Sequence, residues 1–117
     1  MKTLRKRSKF NNKKVVVDGV TYDSVHEYQR YCELAVLEQA GKIKNLQRQV
    51  KFSICPKAPN VKRSRERFYI ADFVYIQSDG TKIIEDAKSP PTKKDKTYRL
   101  KKQLVQVKYP EYVFVES

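Results

Sequence analysis

Histidine and cysteine are nearly missing from this chain, with one of the first and two of the second in 117 residues. Cys32 and Cys55 are far apart and have no CxxC or Cys/His companions, which excludes a structural zinc site and leaves two free thiols, as expected of a reducing cytosol. A Ser-His-Asp or Cys-His arrangement would have to use His26, which falls in the first turn of an expected helix. Tryptophan is absent. No apolar run reaches the roughly 18 residues of a membrane span, and no apolar segment follows the basic N-terminus, so neither a span nor a secretory signal is expected. Acid is scarce as well: 13 Asp and Glu stand against 26 Lys and Arg, a net charge of +13. Chemistry, if the chain performs any, falls to carboxylates, lysines and a borrowed metal.

What is present reads as one small domain. Hydrophobic residues make up 39% and charged residues 33%, a globular composition. The excess of positive charge points to a polyanionic partner. Residues 1–14 read as a basic arm without periodicity, and residues 15–117 as a single domain. Asp18-Gly19 marks a tight turn between two short extended pieces. Ser24 opens a helix through a capping box with Glu27. Tyr28, Tyr31, Cys32, Leu34 and Ala35 form its apolar stripe, and Gly41 stops it.

A link holding Ile43 and Leu46 leads into "QVKFSIC", where Val50, Phe52 and Ile54 alternate with polar residues as in a strand. Pro56 to Arg67 reads as a loop. "FYIADFVYIQ" and "TKIIEDAK" read as two strands joined by "SDG". A second helix is expected over Lys93 to about Lys108, with Leu100, Leu104 and Val107 along one side, and "YVFVE" as a last strand. Helix, three strands, helix, strand gives an α/β fold with one mixed sheet flanked by helices.

The chemistry concentrates around "IIEDAKSPP". In the preceding strand the period-2 set Phe68, Ile70, Asp72, Val74, Ile76 is apolar except for the aspartate, and a lone buried carboxylate is costly unless paired or metal-bound. A three-residue loop of Ser78, Asp79 and Gly80 sets Asp72 across from Asp86, with Lys88 on the same face. A two-residue loop would instead bring Glu85 to that face. The first register is favoured, and the second leaves Glu85 as the alternative ligand. Two carboxylates at about 4 Å repel by roughly 4 kcal/mol at an effective dielectric near 20, more than an exposed lysine returns. A hard divalent cation, Mg²⁺ or Mn²⁺, is the better remedy.

Asp72 followed by Asp86-Ala87-Lys88 resembles the PD-(D/E)xK nuclease superfamily, with Glu27 matching its first acidic position. "YDSVHEYQRYCELAVLEQAGKIKNLQRQVKFSI" and "YIADFVYIQSDGTKIIEDAKS" together resemble a group of small phage-encoded nucleases related in pattern to Holliday junction resolvases. Ala71 stands where the motif has proline. The resemblance implies a restriction-endonuclease-like core. It also implies metal ligation by Asp72, Asp86, Glu27 and the Ala87 carbonyl, and catalysis by Glu27, Asp72, Asp86 and Lys88. Gln49 is similar to a glutamine that the family carries on its first strand. The implied activity is Mg²⁺-dependent endonuclease cleavage of branched DNA in phage recombination or repair, by a homodimer in the host cytosol.

Phosphate contacts are expected from Arg5, Lys6 and Arg7 in the arm and from Arg63 and Arg65 in the loop. Lys93, Lys94 and Lys96 are expected at the start of the second helix, where cations oppose the macrodipole and call for an anion. The alternative to an enzyme is a non-catalytic basic DNA-binding module. A basic protein–protein adaptor comes third.

Overall fold

A computed structural model describes residues 13–117. The arm residues Arg5, Lys6 and Arg7 therefore lie outside the described residues. Strands β1 (Val15–Val17) and β2 (Val20–Tyr22) pair antiparallel across Asp18 and Gly19. Both turn residues have positive φ, 51° and 79°, the hairpin geometry whose twist matches its flanking strands. Helix α1 (Val25–Gln39) starts where the Ser24 hydroxyl accepts the Glu27 N–H at 3.0 Å. At its other end Gly41, with φ 78°, donates to the Glu38 carbonyl while Lys42 donates to that of Leu37. That pair of bonds satisfies carbonyls left over by the last turn.

The main sheet has the order β3-β4-β5-β6, with β3 (Ile43–Cys55), β4 (Arg67–Gln77) and β5 (Lys82–Asp86) antiparallel and β6 (Tyr112–Glu116) parallel to β5. A parallel neighbour needs a crossover. Here it is supplied by a short helix α2 (Pro90–Lys93) and helix α3 (Lys96–Lys108). The fold is α/β with one mixed sheet, as expected. The β4–β5 loop has three residues: Gly80, φ 91°, donates to Gln77, and Gln77 donates to Thr81 at 2.8 Å. Phe73 pairs with Glu85 and Ile76 with Lys82, and the same register carried one step further sets Asp72 opposite Asp86.

Each face of the sheet carries its own helix. Leu34 of α1 packs with Ile43, Phe73, Tyr75, Ile83 and Ala87. Tyr98 and Val105 of α3 pack with Phe52, Ile54, Tyr69, Ala71, Val74 and Ile84. With both faces covered, Ala71 through Tyr75 are buried without a break.

Four expectations need correction. The Ile43–Leu46 link belongs to β3, whose register shifts between Lys44 and Gln47 around a positive-φ Asn45. A bulge there hides the strand's alternation. The set from Phe68 to Ile76 is not one covered face, since Ile70 is 47% exposed. Ala71 and Val74 share a cluster across an odd number of positions, so the pleat of β4 changes phase beside Asp72. Gln49, opposite that point on β3, has φ 53°, and β3 changes faces there too. On α3 the apolar stripe is misplaced: Leu100 and Val107 are exposed, and the buried side is Tyr98 and Val105. On α1, Cys32 is exposed, and its place on the inward side is taken by the charged Glu27 and the half-buried Arg30.

Candidate metal centre

Three elements meet where the two strands change faces. The first turn of α1 brings Glu27, β4 brings Asp72, and the end of β5 brings Asp86, each almost completely buried. The two aspartates are knitted by backbone donors. Asp72 N–H donates to Asp86 Oδ1 at 2.8 Å, and Ala87 N–H donates to Asp72 Oδ2 at 2.9 Å. Lys88 Nζ lies 3.3 Å from the same Asp72 oxygen. The second Asp86 oxygen, Oδ2, is buried with no hydrogen-bond partner among the described residues. A buried ionised oxygen in that condition is costly, and a cation is the usual remedy.

Glu27 has a double role. Its Oε1 accepts the Asp23 N–H at 3.3 Å, a reach-back of capping-box kind, while Oε2 accepts from Gln49 Nε2 at 3.2 Å. Arg48 stands 3.5 Å from Oε2, with its guanidinium 4.2 Å from the centre of the Tyr22 ring. The left-handed backbone at Gln49 thus places its amide on the carboxylate next to Asp72.

Asp23, which sequence reasoning passed over, completes the group. Oxygens of Asp23, Glu27 and Asp72 all lie within 4.8 Å of one another. Asp86 is not in that tight trio. It joins through its bond to Asp72, so Asp72, Asp86 and Glu27 of the expected ligand set lie together, with Asp23 added to them. Asp23 carries no sequence signal of its own, being an exposed acid just before the N-cap.

Glu85, the alternative ligand, is engaged elsewhere. Its oxygens face α1, where Arg30 Nε donates at 2.5 Å and Tyr75 Oη at 2.5 Å. The Ala87 group that joins the cluster is its N–H, which holds Asp72.

The charges bear the marks of crowding. Burial pushes the Glu27 carboxyl up to about 7, with the Asp72 and Asp23 charges adding to the rise. Burial lifts Asp86 to about 6 against the pull of Lys88, and raises Asp72 against the same lysine. At Lys88, burial works to lower the ammonium, but Asp72 and Asp86 outweigh it and hold the group above its ordinary value. Lys88 is therefore a cation at neutral pH. An all-oxygen donor set with an unsatisfied buried carboxylate oxygen suits a hard divalent ion such as Mg²⁺ or Mn²⁺.

The basic groups are distributed unevenly. Arg63 and Arg65 are exposed on the β3–β4 loop, beside Lys62 and Ser64. Lys93 ends α2, Lys94 caps it and Lys96 begins α3. The anion expected at that helix start is already present in the chain. Asp95 is the N-cap of α3 and accepts the Tyr98 N–H at 3.0 Å, so the macrodipole argument for a phosphate there lapses.

The architecture is thus that of an α/β protein with a buried acid cluster where α1, β4 and the end of β5 meet. A family model described as a protein of unknown function, DUF1064, matches residues 7–115, and the chain belongs to that family. No curated protein and no solved structure matches it.

Proposed function

We propose that this protein is a metal-dependent endonuclease of the PD-(D/E)xK type, with a restriction-endonuclease-like core, hydrolysing phosphodiester bonds in branched DNA. The observation that carries the reading is Asp86 Oδ2, buried without a hydrogen-bond partner among the described residues beside the Asp23–Glu27–Asp72 trio, whose Asp72 has the protonated Lys88 at 3.3 Å. A structural acid cluster has its oxygens satisfied by the protein; among the described residues this one leaves Asp86 Oδ2 unsatisfied.

Asp72, Glu27 and Asp86, with Asp23 at the rim, would hold Mg²⁺ or Mn²⁺. The ion, when bound, supplies charge stabilisation at the phosphoryl oxygens and eases deprotonation of the attacking water. The chain's own residues do the rest. The Ala87 and Asp72 N–H groups fix the two aspartates. Gln49 orients Glu27. Lys88, held protonated, donates to the phosphate and offsets negative charge building on it. Arg63, Arg65, Lys93, Lys94 and Lys96 contact the backbone, and the arm with Arg5, Lys6 and Arg7 adds to them. A substrate cut on two strands calls for two copies of the chain, so a homodimer is part of the proposal. Such an enzyme works where DNA is, in the cytosol of a bacterial host. Among the described residues no helix is long and apolar enough to cross a membrane.

The test is cleavage of a labelled four-way junction and of its linear arms with Mg²⁺, with Mn²⁺, and with chelator. The reading expects metal-dependent cutting of the junction that Asp86→Asn abolishes. Binding to the junction without cleavage under any metal would instead make the protein a non-catalytic module.

A further inference from the structure

Helix α3 divides its residues sharply. Tyr98 and Val105 point into the core, while Lys96, Arg99, Leu100, Gln103 and Gln106 are exposed on the opposite side. Lys93, Lys96, Arg99, Lys102, Gln103 and Gln106 line an open groove between this side and Glu116 of β6. Glu116 is the one acid lining it. Its Oε2 accepts from Tyr98 Oη at 2.6 Å and meets Lys102 Nζ at 3.3 Å, so its charge is already answered. Among the described residues no acidic side chain forms an ion pair with Lys96 or Arg99. Two glutamines, neutral donors, stand where a surface helix ordinarily carries a compensating Glu.

Glu116 pairs in register with Asp86, so the groove begins beside the acid centre. From Lys96 to Gln106 the helix rises about 15 Å, the rise along the duplex axis of roughly four phosphates of one strand. We propose that this side of α3 is a phosphodiester track that carries one strand of duplex DNA away from the acid centre, with Lys96 and Arg99 as its ionic contacts and Gln103 as a neutral donor. The inference rests on the nuclease reading and extends it, because it assigns a continuous path for the flanking duplex where sequence suggested only a basic helix start. The exposed Leu100 lies between Lys96 and Gln103, against the sugar edge of that strand.

The experiment is fluorescence anisotropy of a labelled linear duplex between 50 and 300 mM salt, with wild type and with K96Q/R99Q. Both positions are exposed on a helix whose cap and buried side the substitutions leave intact, and Mn²⁺ binding by each protein checks the acid centre. Removing two phosphate contacts lowers the slope of log affinity against log salt by about 1.8 and weakens binding at least tenfold at 100 mM salt. Junction cleavage falls in step, and Mn²⁺ binding is unchanged. An unaltered slope in the double variant, with wild type binding well, overturns the track and leaves the nuclease reading standing. No binding by wild type at any salt overturns both. A wild-type dimer that K96Q/R99Q converts to monomer in sedimentation assigns the face to a second copy of the chain and overturns the track.

Discussion

Glu85 and Asp86 follow one another on β5, are both fully buried, and meet opposite surroundings. Glu85 faces α1, where Arg30 grips it through both Nε and Nη2 and Tyr75 donates a third bond. Burial works to raise its pKa, but those bonds prevail and hold the carboxyl below its ordinary value. Asp86 faces α3 with one oxygen bonded to a backbone N–H and the other bonded to nothing among the described residues. Burial lifts its pKa to about 6. The protein can satisfy a buried acid completely, and one residue further along, the described residues do not. That incomplete satisfaction, in a fold able to provide it, is the gap that the proposed cation would fill.

The widest separation between the two sides comes from Asp72→Asn. It removes a charge from the centre and is expected to lower cleavage by more than about a hundredfold while leaving the metal-free protein as stable or more so. Cleavage rates and urea denaturation read the two quantities. A destabilised variant would make the cluster structural. Arg30→Met strikes the other side. It strands the buried Glu85 charge and is expected to cost about 3 kcal/mol in denaturant unfolding, with no change in Mn²⁺ affinity.

The two sides also differ in pH dependence. Glu27 rises from 4.5 to about 7 and Asp86 from 3.8 to about 6, so the native metal-free protein holds protons there more tightly than the unfolded chain. Stability from these groups is present in full below pH 3.8 and is lost as pH rises through about 6 and then 7, by up to about 3 kcal/mol for each group. Glu85 behaves oppositely: its lowered pKa gives stability that is present above 4.5 and lost as pH falls through the folded value. Saturating Mg²⁺ should flatten the decline between pH 5 and 7, which thermal unfolding with and without the ion would reveal. The smallest effect is expected from Gln49→Gly, which removes the amide on Glu27 and accepts the positive φ without strain. Metal affinity should fall about tenfold by calorimetry, with stability changed by less than about 1 kcal/mol.

Local signals were legible in the sequence and distant ones were not. Ser24 with Glu27, Gly41, Asp18-Gly19 and "SDG" are short-range devices, and the last of them fixed which acid faces Asp72. The fate of Glu85 depends on Arg30, 55 positions away, so no pattern around Glu85 announces it. The phase change at Gln49 and Asp72 arises between strands, and strict alternation therefore misassigned Ile70. On α3 the better-looking stripe of Leu100 and Val107 lost to Tyr98, whose ring packs near Tyr69 and whose hydroxyl finds Glu116. Asp95 escaped notice because its neighbours are lysines, though Asp is among the preferred N-cap residues.

The most direct trial of the central idea is equilibrium binding of Mn²⁺ to wild type and to Asp86→Asn, followed by electron paramagnetic resonance at neutral pH. Saturable binding by wild type that weakens at least tenfold in the variant is the predicted result. Equal binding by the two proteins, or none by wild type, would contradict it.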